Sequence, residues 1–223
     1  MTKTPFCPSC LKGIALGILL SSSSFGQAPQ AKEEPMAQQI EAQRIKVKQT
    51  IAVNNMRQLA LALFEFESEY GAYPNAETVA LVKKNTGTDM ELKADTADDC
   101  FRQLIAANII AAEAANDILS GGKAPGQAEA AAKPAKWVFS YNASAKAAGN
   151  PQRPLAFYPL IQGKTTFDLE ALGGKAVILC VDNSVRSFPI DKEGRVMING
   201  KDLFDTEQPY WGNEKMDIKW PAK

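Results

Sequence analysis

The sequence predicts an α+β domain. A long N-terminal α-helical spine packs on a small antiparallel β-sheet, with a second helical region and a loop-rich C-terminal tail. Three observations carry this reading. Ala52, Met56, Leu59, Leu63, Phe66 and Tyr70 recur in steps of four and three, the repeat that lines one face of a helix. That run stops at Gly71-Ala72-Tyr73-Pro74, where glycine can turn left-handed after the last turn and proline cannot continue. Downstream, the apolar run 176–181 and its neighbour 185–190 bracket Asp182-Asn183-Ser184, a turn composition that predicts a hairpin.

Taken in order, residues 1–26 read as a secretory signal. Lys3 supplies positive charge, residues 11–20 are mostly apolar although Lys12 interrupts them, and Ser24-Phe25-Gly26 offers small residues at the cleavage-reading positions. The apolar stretch is far shorter than the roughly 20 residues that span a bilayer. Retention as a short anchor is the alternative. Cys7 and Cys10 form a CxxC pair that cleavage would remove. Residues 27–37 form a polar tether containing Pro29 and Pro35, and residues 38–223 form one α+β domain.

The spine starts near residues 36–38 and ends at Tyr70. A helix of that length is about 52 Å long, beyond the usual 8 to 20 residues. Met56, Leu59, Leu63, Phe66 and Tyr70 are its core residues, and Gly71, Tyr73 and Pro74 its exit turn. Ile45, Leu61, Ala62 and Phe64 widen or shift the buried face. The first half is more polar, with Glu41, Arg44, Lys46 and Lys48. It projects from the globular part, so Ile40, Arg44, Val47 and Ile51 are candidate interaction residues.

Residues 76–82 read as a short second helix capped by Asn75, and residues 95–119 as a longer one capped by Asp95 or Asp98 and ended by Gly121-Gly122. Residues 123–136 are an Ala-rich loop. Strand signals then dominate: residues 137–141, then 155–161, which Pro159 limits to an edge or an irregular segment, then the hairpin, then 195–198 beyond Gly194. Residues 202–220 read as a wrapping tail anchored by Phe204, Tyr210, Trp211 and Trp220.

The 223-residue chain carries 25 basic and 25 acidic residues. Removing 26 residues leaves 197 and takes two lysines, so 23 basic face 25 acidic residues and the formal charge is −2. This balance argues against a nucleic-acid surface. Cys100 and Cys180 remain. In an oxidising compartment an even pair suggests one disulfide, and two separate buried thiols satisfy the same sequence.

Residues 54–74, with their Gly-Ala-Tyr-Pro exit, resemble the helix end of bacterial type IV pilins and type II secretion pseudopilins. The run 177–185 is similar to the Asp-Gly hairpin of many prepilin-like proteins, with Asn183 in the Gly position. Asp202-Leu203-Phe204-Asp205 and Pro209-Tyr210-Trp211-Gly212 resemble C-terminal motifs of pilin-like proteins predicted in verrucomicrobial and planctomycetal genomes. The resemblance implies a pilin-like fold, a sheet of about four strands, and a role as a pilus or pseudopilus subunit. The chain departs from the pattern: a prepilin has a continuous apolar helix carrying a Glu five residues past its cleavage site, and none is present here.

Candidate chemistry is sparse. The chain has no histidine, which removes Ser-His-Asp, Cys-His and HExxH arrangements. No phosphate loop or dinucleotide fingerprint is present; Gly173-Gly174-Lys175 is a strand-entry turn. Asp168 with Glu170, and Asp95 with Asp98 and Asp99, are undirected carboxylates. Asp202, Asp205, Glu207 and Asp217 lie in the tail, where some pseudopilins hold calcium, and form an incomplete oxygen set. No other cofactor is expected.

The expected function is therefore a non-enzymatic, exported structural or assembly protein of the cell envelope. It would act in the periplasm, on the outer surface or outside the cell. Its partners would be proteins, or other copies met through the N-terminal helix, with membrane contact only if the N-terminal segment is retained. The alternative is a soluble periplasmic or extracellular module that binds an envelope protein or glycan.

Overall fold

The computed structural model describes residues 36–121, 136–212 and 215–223. The signal, its cleavage after Gly26, the CxxC pair and nearly all of the Ala-rich loop lie outside the described residues.

The steps of four and three become the buried face of helix α1 (Met36–Tyr70), where Met56, Leu59, Leu63 and Phe66 are fully buried and Tyr70 nearly so. Residues 36–44 are all exposed. Docking begins one turn later. Gln49 Nε2 donates to the Leu172 carbonyl at 2.8 Å. Gly173 lies so close that a Cβ there would sit 2.6 Å from Ile45 Cγ2. At the far end Gly71 adopts φ 74° and its N–H donates to the Glu67 carbonyl at 2.7 Å. Tyr73 and Pro74 are buried, and the Tyr73 hydroxyl donates to the Val181 carbonyl at 3.4 Å, which fixes the exit turn to the sheet.

Three further helices follow: α2 (Thr78–Thr86), α3 (Ala97–Ala106) and α4 (Ala112–Leu119). Helix α2 starts two residues later than expected, with Glu77 at its N-cap and no side-chain cap bond; Asn75 instead turns the chain just before it, its Oδ1 accepting from the Glu77 and Thr78 N–H groups. The expected helix over 95–119 is instead two. Asn108 at φ 58° breaks it, and both Ile109 and Ile110 donate back to the Leu104 carbonyl. The cap of α3 is Thr96, not Asp95 or Asp98. Its hydroxyl accepts from Asp99 N–H at 3.1 Å while the Asp99 carboxylate accepts from Thr96 N–H at 3.0 Å. A reciprocal box satisfies two orphan donors where a lone aspartate satisfies one.

The main sheet has five antiparallel strands, ordered β4-β3-β2-β1-β7. They are β1 (Ser140–Asn142), β2 (Pro154–Tyr158), β3 (Lys175–Cys180), β4 (Val185–Pro189) and β7 (Ile218–Lys219). The predicted hairpin is β3–β4, with Asn183 at φ 60° in its turn. Two expectations change. The segment containing Pro159 supplies the central strand, because Pro159 falls just past Tyr158 and Pro154 opens the strand, so no interior ladder bond is lost. Residues 195–198 do not join this sheet; β5 (Met197–Ile198) pairs with β6 (Lys201–Asp202) in a separate ribbon. The tail itself adds β7 beside β1. It is tied to α3 by Ala97 N–H donating to the Trp220 carbonyl at 2.9 Å, and by Ala222 N–H donating to the Asp98 carboxylate.

Strand β3 alternates across the sheet, and both faces are covered. Val177, Leu179 and Val181 join α1, α3 and α4 in one core with Phe101, Leu104, Phe139 and Tyr141. Ala176, Ile178 and Cys180 point the other way, into a second core with Phe157, Phe167, Leu203, Phe204 and Trp211. The tail closes that second core. Trp211 Nε1 and the Tyr210 hydroxyl both donate to the Leu203 carbonyl, at 2.7 and 3.0 Å. Gln208 Nε2 reaches the carbonyls of Ile198, Lys201 and Asp202. Phe204, Tyr210 and Trp211 are buried as expected, and Trp220 is half-buried, its Nε1 donating to the Lys164 carbonyl.

Candidate functional site

Each carboxylate of the expected calcium set has a local role. Asp202 accepts from Phe204 N–H and Asp205 from Glu207 N–H, both at 2.8 Å, which are Asx turns. Glu207 pairs with Lys201 at 2.7 Å and Asp217 with Lys219 at 3.1 Å. Among the described residues no three acidic or thiol side chains gather as a metal site. Asp202, Asp205, Glu207 and Asp217 are therefore not brought together as one such group. Asp168 likewise turns its own loop by accepting from Glu170 N–H. Asp99 is spent on the cap, and burial raises the pKa of Asp98.

The cysteines do not pair. Both are free and buried, Cys100 in the helix-side core and Cys180 in the opposite one, with the sheet between them. Burial pushes the Cys100 thiol up to about 12 and also raises Cys180, so both are protonated and inert at neutral pH. Tyr141, fully enclosed beside Phe101, is raised well above the ordinary phenol range by burial.

Open depressions among the described residues include two of note. One, of about 560 Å³, lies between the α1 exit and residues 143–148, with Glu67, Glu77, Ser144, Lys146 and Asp217 on its walls. The other, about 370 Å³, is bordered by Trp137, Tyr158, Leu160 and Asp168. In the first, the Ser144 hydroxyl donates to Asn142 Oδ1 at 2.8 Å.

The outer face of α1 is the most distinctive surface. Ile40 and Val47 are 45% and 41% exposed, Arg44 is exposed, and Ile51 is half-buried. Leu61 and Phe64, which the sequence placed toward the core, are 68% and 50% exposed, whereas Ala62 is buried and Ile45 half-buried. The core face centres on Leu59, Leu63 and Phe66, and Leu61 and Phe64 lie off that arc. Met36, Ile40, Val47, Leu61 and Phe64 advance by four, seven, fourteen and three. Those steps return to one side of a 3.6-residue helix. That second repeat was legible in the sequence beside the core repeat. No helix among the described residues is long and apolar enough to cross a membrane.

The chain matches no protein-family model, no curated protein and no solved structure.

Proposed function

We propose that this chain is a non-enzymatic, exported structural or assembly protein of the cell envelope, with a pilin-like head that meets protein partners through α1. The observation that carries the reading is the helix itself. From Ala52 onward one face is buried in the core, while the opposite side of the helix keeps Ile40, Val47, Leu61 and Phe64 in solvent. Exposed apolar side chains aligned on one rigid element mark an interaction surface more strongly than the same residues scattered. The Gly71–Pro74 exit, fixed to the sheet by Tyr73, supports the pilin-like comparison.

A photo-crosslinking residue at position 40 or 47, introduced in the native host, tests this. Adducts with envelope proteins, or with the chain itself, and recovery of the chain in the envelope or medium are expected. Cytoplasmic recovery without adducts would end the proposal. The alternative, a soluble binding module, draws on the 560 Å³ depression beside the α1 exit. A saturable ligand lost on Ser144→Trp would favour it.

A further inference from the structure

The charges of α1 are ordered in a way that helix stability does not explain. Its first half, residues 36–53, carries Arg44, Lys46 and Lys48 against Glu41 alone. Its second half, residues 54–70, carries Glu65, Glu67 and Glu69 against Arg57 alone. The helix has no acid in its first turn and no base in its last. Acids near a C-terminus oppose the macrodipole and weaken an isolated helix. Internal pairing does not account for the order either. Among the described ion pairs the only one within α1 is Arg44–Glu41, at 3.7 Å and with both side chains exposed, a weak and salt-screened contact.

A second copy of α1 running antiparallel matches this order. Its acidic half then lies beside the basic half of the first, twice over, by symmetry. The macrodipoles oppose each other favourably. The same outer face carries the apolar stripe, with Ile40 and Val47 in the basic half and Leu61 and Phe64 in the acidic half. Antiparallel alignment therefore sets apolar against apolar as well as base against acid. A parallel alignment sets base against base and acid against acid. The exposed face of residues 36–68 is roughly 50 Å long, enough for an interface of ordinary size.

We propose that α1 docks antiparallel on α1 of a second copy, forming a symmetric dimer through Ile40, Val47, Leu61 and Phe64 with Arg44 and Lys48 facing Glu65 and Glu69. This rests on the reading of α1 as the assembly surface and names its partner and orientation.

Sedimentation of the purified chain over a range of concentrations tests it, with three variants. R44E/K48E sets acid against Glu65 and Glu69 of the second copy, and E65K/E69K sets base against Arg44 and Lys48; each should weaken dimerisation about tenfold or more. The fourfold reversal R44E/K48E/E65K/E69K should return it to the unaltered affinity. High salt should weaken the unaltered dimer. Arg44 and Lys48 are exposed side chains, so R44E/K48E keeps the fold and decides the question even if E65K/E69K does not fold. A chain that sediments as a monomer throughout overturns the proposal. So does an R44E/K48E variant that dimerises as tightly as the original, or a fourfold variant as weak as the double. Adducts from position 40 to a different envelope protein would then leave the assembly role standing, and their absence would remove both.

Discussion

Leu63 and Leu61 are two residues apart on one helix, and they should respond to the same truncation to very different degrees. Leu63 is fully buried among α1 and sheet side chains, whereas Leu61 is 68% exposed. Leu63→Ala removes three buried carbons and leaves a space that a sheet covered on both faces cannot easily close. Such truncations cost about 3–5 kcal/mol. In a domain of this size each kcal/mol moves the melting temperature by roughly 2–4 °C, so a fall on the order of 10 °C is expected. Leu61→Ala should stay within about 0.5 kcal/mol and move the midpoint by about 1–2 °C. Leu63→Asp buries an unpaired charge and should abolish the cooperative transition. Thermal and urea unfolding, followed by circular dichroism at low protein concentration, measure all three. Coincident melting of Leu63→Ala and Leu61→Ala, or a Leu63→Asp variant with full stability, would refute the placement of α1.

Two further outcomes follow from the second core and from the buried thiols. Trp211→Ala should cost about 3–5 kcal/mol, because Trp211 is fully buried against Phe204, lies under the Arg153 guanidinium and donates to Leu203. A urea midpoint unchanged by that substitution would mean that the tail does not close the sheet. Cys100 is pushed up to about 12 in the fold by burial, against about 8.5 for an unfolded thiol. Its contribution is therefore full below about pH 8.5 and lost as pH rises toward 12. Burial also raises Tyr141 and Tyr210, which add to the alkaline loss at higher pH. Between pH 8.5 and 10 the urea midpoint of Cys100→Ala should fall less steeply than that of the unaltered chain; equal slopes would contradict the buried thiol.

Where local pattern and local chemistry agree, the sequence by itself determined the outcome. The limits of α1, its core residues, the Gly71–Pro74 exit and the β3–β4 hairpin are all set by periods of 3.6 and 2 and by turn residues acting on their neighbours. The aromatic anchors of the tail were legible for the same reason, since large apolar side chains in a loop must be buried somewhere. What depends on distant partners was not. The central position of β2 turned on where Pro159 falls relative to the last ladder bond, and a two-residue strand such as β7 has too short a pattern to read. The α3 cap is a local exception: Thr96 takes it ahead of two aspartates because Asp99, three residues on, answers it in a reciprocal box. The engagement of the tail carboxylates Glu207 and Asp217 with Lys201 and Lys219 was not readable from their spacing. Cys100 and Cys180 were an open pair until the sheet was placed between them. Tertiary structure also decided which side of α1 faces solvent along its docked part, from Ile45 to Tyr70. Burial is a property of the packed assembly, and a leucine carries no local mark of whether the neighbour it meets is a sheet, as at Leu63, or water, as at Leu61.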